Sequence, residues 1–387
     1  MQPLEGLRVI DLTHAGAGPY GTMPLADMGA DVIKIEPKKG DLFRKIYDGA
    51  FLVYNRNKRS LTLNLKTEEG KEILRKLIRK ADVFVESFRP GTLEKMGFSF
   101  ENLVKINPKI IYCSLSGFGS TGPYAGRRAF DPIIQAMCGS MASTGEPDRP
   151  PVRNSGSFID FGTGTLMAYG ILAALILREK TGKPQKVDVS LFDTAVSWMG
   201  YWLTYYVLSG NLPEKFGTGW RAYVPYKLFK TKDRPIYIGV YDEEAWKNFC
   251  DVLGLENVKN NPKFSTNESR VKHRDELEKI IENQLMEMSC EEVENKLVKV
   301  GVPCGPLLTV ADLLKNPQLL ARNMIIKLKH PEKGFKVEAT GIPLKIFGVE
   351  EKIRYQPPSK GEHTKEILKE LGYEEEEIFE LKKKNIV

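Results

Sequence analysis

The stretch LRVIDLTHAGAGPYGTMPLADMGADVIKIE, residues 7–36, decides the fold. An apolar, β-branched run leads into the glycine spacing Gly16-x-Gly18-x-x-Gly21 and a short helical segment, and a second apolar run closes on Glu36. Strand, glycine turn, helix and strand make a βαβ unit, and an acid about 20 residues further on completes the pattern of a dinucleotide-binding fold. Pro19 stands inside the glycine motif, however, and lacks an amide that a pyrophosphate would use, while it suits the first turn of a helix. The motif speaks for the fold more than for a nicotinamide cofactor.

The alternation continues outward. SLTLNL (60–65), DVFVESF (82–88) and KIIYCSLSGFG (109–119) read as further strands, with TEEGKEILRKLIRKA (67–81) and SFENLVKIN (99–107) as helices between them. That is the pattern of a parallel α/β sheet. Residues 161–180 predict a buried apolar helix and residues 189–209 a second, aromatic-rich one, each either core or subunit interface. Near residue 225 the character changes: FKTKDRPIYIGV (229–240) predicts a hairpin, and amphipathic helices follow around 242–253, 266–288 and 290–300. The expected organisation is α/β: a Rossmann-like large domain over 1–200 rejoined by 335–387, a linker over 201–224, and a smaller α+β domain over 225–334.

Composition narrows the partners. The 387 residues exceed the usual single domain. No 18 apolar residues run uninterrupted and no basic leader precedes an apolar core, so neither membrane insertion nor secretion is expected. Five dispersed cysteines without a C-x-x-C pair suit a reducing cytoplasm and argue against a zinc site, and no metal is expected. The net charge is +7, but 57 basic and 50 acidic residues are interleaved, which does not favour nucleic acid.

In open α/β sheets ligands gather beyond the carboxyl ends of the strands. Here those loops carry His14, then Lys38 and Lys39, then Leu65-Lys66, then Phe88-Arg89. Four such loops on one sheet edge point to an anionic, phosphorylated ligand. Of four histidines only His14 falls there, and neither H-E-x-x-H nor G-x-S-x-G occurs. Asp160, in GSFIDFGTGTL, opens the apolar helix. An Asp at that place commonly caps free amides, yet an ionised carboxylate flanked by glycines also serves as a nucleophile toward an activated acyl group. Both roles stay open on local sequence alone.

Taken together, these segments resemble the family III CoA-transferases (CaiB/BaiF family), which include α-methylacyl-CoA racemase as a relative with different chemistry. The likeness runs from LEGLRVIDLTHAGAGPYG through NRNKRSLTLNLKTEEGK, ADVFVESFRPGTLEKMG and YCSLSGFGSTGPYAGRRAFD to ILAALILREKTGKPQKVDVSLFD, and on through VGVPCGPLLTVADLLKNPQ. The resemblance makes Asp160 the catalytic carboxylate: it would attack an acyl-CoA thioester, form a mixed anhydride, pass to an aspartyl-CoA thioester, and return CoA to an incoming carboxylate. With an ordinary pKa of about 3.9 it would need no activating base, and backbone amides near Gly162 and Gly164 or in the first loop would meet the developing oxyanion.

The resemblance further implies that His14, Ala15 and Gly16 line the thiol end of CoA. Lys38, Lys66, Arg89 and Lys95 would meet its phosphates and adenosine, Leu65 and Phe88 would flank the nucleotide, and Arg128 would bind CoA or the acyl carboxylate. CoA enters as a substrate thioester, with no tightly bound cofactor. An elongated, ring-like subunit in an interlocked homodimer is implied as well. Two departures bear on function. Racemases place a histidine immediately before the aspartate that stands here as Asp131, where it pairs with the catalytic Asp; this chain has Phe130 there, so one half of a two-base mechanism is missing. The glycine run of formyl-CoA transferases is replaced by RAYVPYKLF (221–229), which disfavours formyl and oxalate. A racemase, a nicotinamide-dependent oxidoreductase and a non-catalytic binding module are the competing readings.

Overall fold

The computed structural model describes residues 1–387 and divides into two compact units. The first comprises Met1–Met141, Arg153–Gly210 and Pro317–Val387; the second comprises Ala142–Val152 and Asn211–Asn316. The boundaries depart from the expected ones in three places. Residues 201–209 are helical and belong to the first unit, residues 142–152 belong to the second, and the chain returns to the first unit at Pro317 instead of residue 335.

The first unit is built on six parallel strands: β1 (Arg8–Leu12), β2 (Asp31–Glu36), β3 (Lys58–Thr62), β4 (Val83–Glu86), β5 (Ile111–Ser116) and β6 (Gln185–Ser190), in the order β3-β2-β1-β4-β5-β6. This is the doubly wound order, and the crevice where chain direction reverses lies between β1 and β4. The central strands read as unbroken apolar runs because helices cover both faces. Alternate residues serve alternate faces: Ile10, Ile33 and Phe84 pack with Ile73, Leu77 and Leu103, while Val9, Val32 and Val83 pack with Leu25, Met167 and Ile171.

Six helices matter for the site: α1 (Ala17–Asp27), α2 (Asp48–Tyr54), α3 (Asp131–Met137), α4 (Phe158–Thr181), α5 (Leu191–Trp198) and α6 (Gly200–Ser209). α1 and α4 lie against each other through small residues. A Cβ on Gly21 would fall 2.5 Å from the Gly164 carbonyl oxygen, and one on Gly164 would fall 2.5 Å from that of Ala17. Gly18 has the same constraint toward Thr13, at 2.3 Å. Gly21 and Gly164 thus let the two helix backbones touch, while Gly18 makes room for the Thr13 side chain.

Two sequence expectations are corrected here. β6 was not anticipated, since QKVDVS alternates polar and apolar residues on an edge and the predicted second helix began at residue 189. That helix is in fact two, α5 and α6, joined at Met199. α4 is also not wholly buried: it is long and apolar enough to cross a membrane by length and composition, and Tyr169, Ile176 and Leu177 on it are exposed. α6 buries none of its residues, leaving Tyr201, Leu203, Val207 and Leu208 exposed.

The second unit pairs β7 (Tyr226–Phe229) with β8 (Ile236–Gly239) as the expected hairpin and adds β9 (Cys304–Pro306) antiparallel to β8. Its core joins Phe229 and Ile238 to Trp246, Phe249, Leu277 and Val293 on the amphipathic helices that follow.

Candidate active site

The turn between β1 and α1 is held by charged side chains sealed beneath it. The Asp11 carboxylate accepts from the Thr13 amide at 2.9 Å, and the Lys34 ammonium donates to the Thr13 carbonyl at 3.0 Å and pairs with Asp41 at 2.9 Å. Asp41 in turn accepts from the Ala15 amide at 3.3 Å, and Ser87 accepts from the His14 amide at 3.2 Å. Lys58, also fully buried, pairs with Asp11 at 3.1 Å and donates to the Pro19 carbonyl at 2.9 Å and the Thr22 hydroxyl at 2.7 Å. So fastened, Ala15 adopts the left-handed conformation at φ +64°.

The pair energetics are asymmetric. Burial alone would raise the Asp11 pKa, but Lys58 and then Lys34 outweigh it and bring it to about 2. Burial lowers Lys58 to about 8 despite Asp11. We take the pair as ionised at neutral pH, because the ammonium has four hydrogen-bond acceptors around it. Sequence reading missed this network: NRNKRS looks like a solvated polar segment, yet Arg56, Lys58 and Arg59 are buried.

Beyond the strand ends lies a cavity of about 930 Å³, within the range of nucleotide-sized ligands. His14, Lys38, Leu65, Lys66 and Phe88 line it, together with Leu63, Met96 and the further lysines Lys39 and Lys45. Lys66 is exposed, and Lys38 is half-buried with its ammonium against the Val387 carbonyl. His14 is exposed by surface area, yet desolvation by the protein around its ring holds the imidazole below its usual pKa. Arg89 and Lys95 are exposed and outside the cavity wall, where Met96 stands instead of its neighbour Lys95. Arg128 is exposed too, three residues before Asp131 at the start of α3.

Two residues past His14 the turn meets Asp160. A Cβ on Gly16 would fall 2.7 Å from Asp160 Oδ2, so only glycine leaves that carboxylate its place. Asp160 is the third residue of α4, but it does not cap it. The cap comes from Asp131, whose Oδ2 accepts from the Ile159 amide at 2.8 Å and the Asp160 amide at 3.2 Å while Gln135 donates to its Oδ1 at 2.5 Å. Of the two roles left open for Asp160, the cap is therefore taken by another residue, and its own carboxylate is released. No local sequence signal could have shown this, since the capping residue lies 29 positions away.

Burial, with the Asp131 charge second, raises Asp160 to about 7. That corrects the expectation of an ordinary carboxylate: at pH 7 roughly half is protonated. The amides of Gly162 and Gly164 are inside α4 and committed to its hydrogen-bond ladder, so they are not oxyanion donors. α1 instead starts beside Asp160 with no side-chain cap, leaving its first-turn amides without helical partners.

Glu36, the acid of the presumed dinucleotide pattern, is consumed internally. It takes Arg44 at 2.7 and 2.8 Å, the Ser60 hydroxyl at 2.7 Å and the Asp41 amide at 2.9 Å. Nothing remains for a ribose, and the glycines are spent on packing.

A doubly wound sheet with a lysine-rimmed cavity at its switch point and an elevated carboxylate beside the first turn defines an acyl- or nucleotide-handling α/β enzyme. The chain belongs to CoA-transferase family III, whose model matches residues 4–364. It is similar to the acetyl-CoA:oxalate CoA-transferase of Acetobacter aceti, 41% identical with 90% of each chain covered. It is also similar to the succinyl-CoA:glutarate CoA-transferase of Mus musculus, at 38% identity over 98% of this chain and 89% of that one. Among solved structures, a CaiB/BaiF family protein from Brucella suis superposes with a TM-score of 0.87 at 36% identity, covering 96% of this chain and 99% of that one.

Proposed function

We propose that this CoA-transferase moves CoA from an acyl-CoA thioester to a carboxylic acid through covalent species on Asp160. The observation that carries the reading is a carboxylate freed from capping duty by Asp131 and set against Gly16, at the inner end of the turn that also lines the cavity. The ionised Asp160 attacks the thioester carbonyl and expels CoA thiolate, giving a mixed anhydride. The thiolate then attacks the aspartyl carbonyl, giving an aspartyl-CoA thioester and releasing the donor acid. An incoming carboxylate displaces the thiolate to form a second anhydride, and thiolate attack on its acyl carbonyl yields the new acyl-CoA and restores Asp160. The uncapped amides of α1 stabilise the oxyanions.

In this reading His14, Ala15 and Gly16 flank the thiol end. Leu65 and Phe88 sandwich the nucleotide, Lys38, Lys66, Arg89 and Lys95 neutralise its phosphates, and Arg128 meets CoA or the acyl group. No tightly bound cofactor takes part. The relatives' names include oxalate, glutarate and citramalate, so a carboxylic acid acceptor is the natural reading, and the missing glycine run is a weak argument against oxalate. The uncovered apolar residues of α4 and α6 support a homodimer, which we take to be interlocked, and we place the protein in the cytoplasm. A racemase is disfavoured, because Phe130 carries no proton.

The test is oxygen transfer. With an acceptor acid labelled with oxygen-18 and an acyl-CoA donor, each turnover deposits one acceptor oxygen in the Asp160 carboxylate, detectable in its peptide by mass spectrometry. Turnover without label in Asp160 would exclude the route.

A further inference from the structure

Aromatic rings cluster around Phe161, the residue after the carboxylate. Its ring centroid lies 4.9 Å from that of Tyr20 and 5.9 Å from that of Tyr54, and the two tyrosines are 5.6 Å apart. Phe158 and Phe43 extend the group at 6.3 Å from Phe161 and 6.5 Å from Tyr54. Tyr20, Tyr54 and Phe161 are each only half-buried, so ring faces remain open. Burial and then the charge of Asp160 raise Tyr54 to about 12, which places its hydroxyl within electrostatic reach of the carboxylate.

The charge acting on Asp160 is negative. It is that of Asp131, and no lysine or arginine acts on the carboxylate. The cations of the neighbouring network are already engaged: Arg44 holds Glu36 and lies over the Phe51 ring at 3.8 Å, Lys34 holds Asp41, and Lys58 holds Asp11. An acyl group ending in a second carboxylate would approach the ionised Asp160 as a third negative charge beside Asp131, while Arg128 is exposed and exerts no charge on Asp160, which is costly in a half-buried place. A neutral body would gain apolar contact and ring stacking.

From this arrangement we propose that the acyl group carried by Asp160 is uncharged and apolar, aromatic above all, packed on Tyr20, Tyr54 and Phe161. It rests on the acyl-transfer reading of Asp160 and departs from the dicarboxylates in several relatives' names.

The test measures the rate at which hydroxylamine-trapped label accumulates on Asp160 in the wild-type protein with four probes: 3-phenylpropionyl-CoA, valeryl-CoA, succinyl-CoA and glutaryl-CoA. The two neutral probes react at least about tenfold faster than the two charged ones, and Tyr54→Leu or Phe161→Leu reduces the advantage of phenylpropionyl over valeryl by up to about tenfold. Faster labelling by succinyl- or glutaryl-CoA overturns the inference while leaving acyl transfer intact. No label from any probe removes the transfer reading itself, and this inference with it.

Discussion

Replacing Asp131 by asparagine separates its two effects on Asp160. The carboxamide oxygen still accepts from the Ile159 and Asp160 amides, and α4 keeps its cap once the Gln135 amide turns away from the new NH2 donor, while the charge facing Asp160 is gone. Asp160 rises from 3.8 to about 7, and burial is the larger cause. The share of Asp131 is therefore the smaller one, worth at most about 2 kcal/mol. A nucleophilic carboxylate must be ionised, so single-turnover acylation of the wild type rises with pH through an inflection near 7 and is flat above it. In Asp131→Asn the inflection moves down by about one unit and the high-pH plateau changes little. The assay is rapid-quench trapping of the acylated enzyme from pH 5 to 9, with a urea melt to bound the cap loss at about 1 kcal/mol. An unmoved inflection, or a wild-type profile flat from pH 5, would refute the electrostatic argument.

Three further outcomes follow from the same geometry. Gly16→Ala places a methyl 2.7 Å from Asp160 Oδ2 and lowers kcat by about a hundredfold or more with a melting temperature close to wild type, as read by steady-state kinetics and circular dichroism. Because the folded pKa of Asp160 lies above its unfolded value, wild-type stability falls as pH rises from about 4 to about 7; urea melts should show Asp160→Asn gaining on wild type across that window, by about 2 kcal/mol after allowance for partial exposure, and unchanged stability differences from pH 4 to 8 would contradict this. Lys58→Met strands the buried Asp11 charge and costs about 3–5 kcal/mol, whereas the double change Asp11→Asn with Lys58→Met costs clearly less, a non-additivity that a double-mutant cycle in urea measures.

The sheet was legible wherever burial on both faces forces an apolar run: LRVIDL, DVIKIE, DVFVESF and KIIYCSLS each contain a strand. It was illegible where a tertiary partner overrides local chemistry. β3 starts at Lys58, two residues before the apolar run, because Asp11 and Asp31 accept the charges of Lys58 and Arg59. β6 hides as an alternating edge strand. The site shows the same division. The loops after the strands announced His14, Leu65, Lys66 and Phe88 by position, since topology alone sends them to the sheet edge. The release of Asp160 from capping depends on Asp131 folding back from another helix, and the raised pKa depends on burial, neither of which has a local signature. The glycine motif was read correctly as a turn of the fold, and its glycines are required by contact with Asp160, Thr13 and α4 in turn.

The central claim is that Asp160 carries the transferred group. Intact-protein and peptide mass spectrometry after mixing the protein with an acyl-CoA and quenching into hydroxylamine tests it directly. The account predicts an aspartyl hydroxamate at Asp160 in the wild type and none in Asp160→Ala. A hydroxamate at another residue, or full transferase turnover in Asp160→Ala, would contradict it.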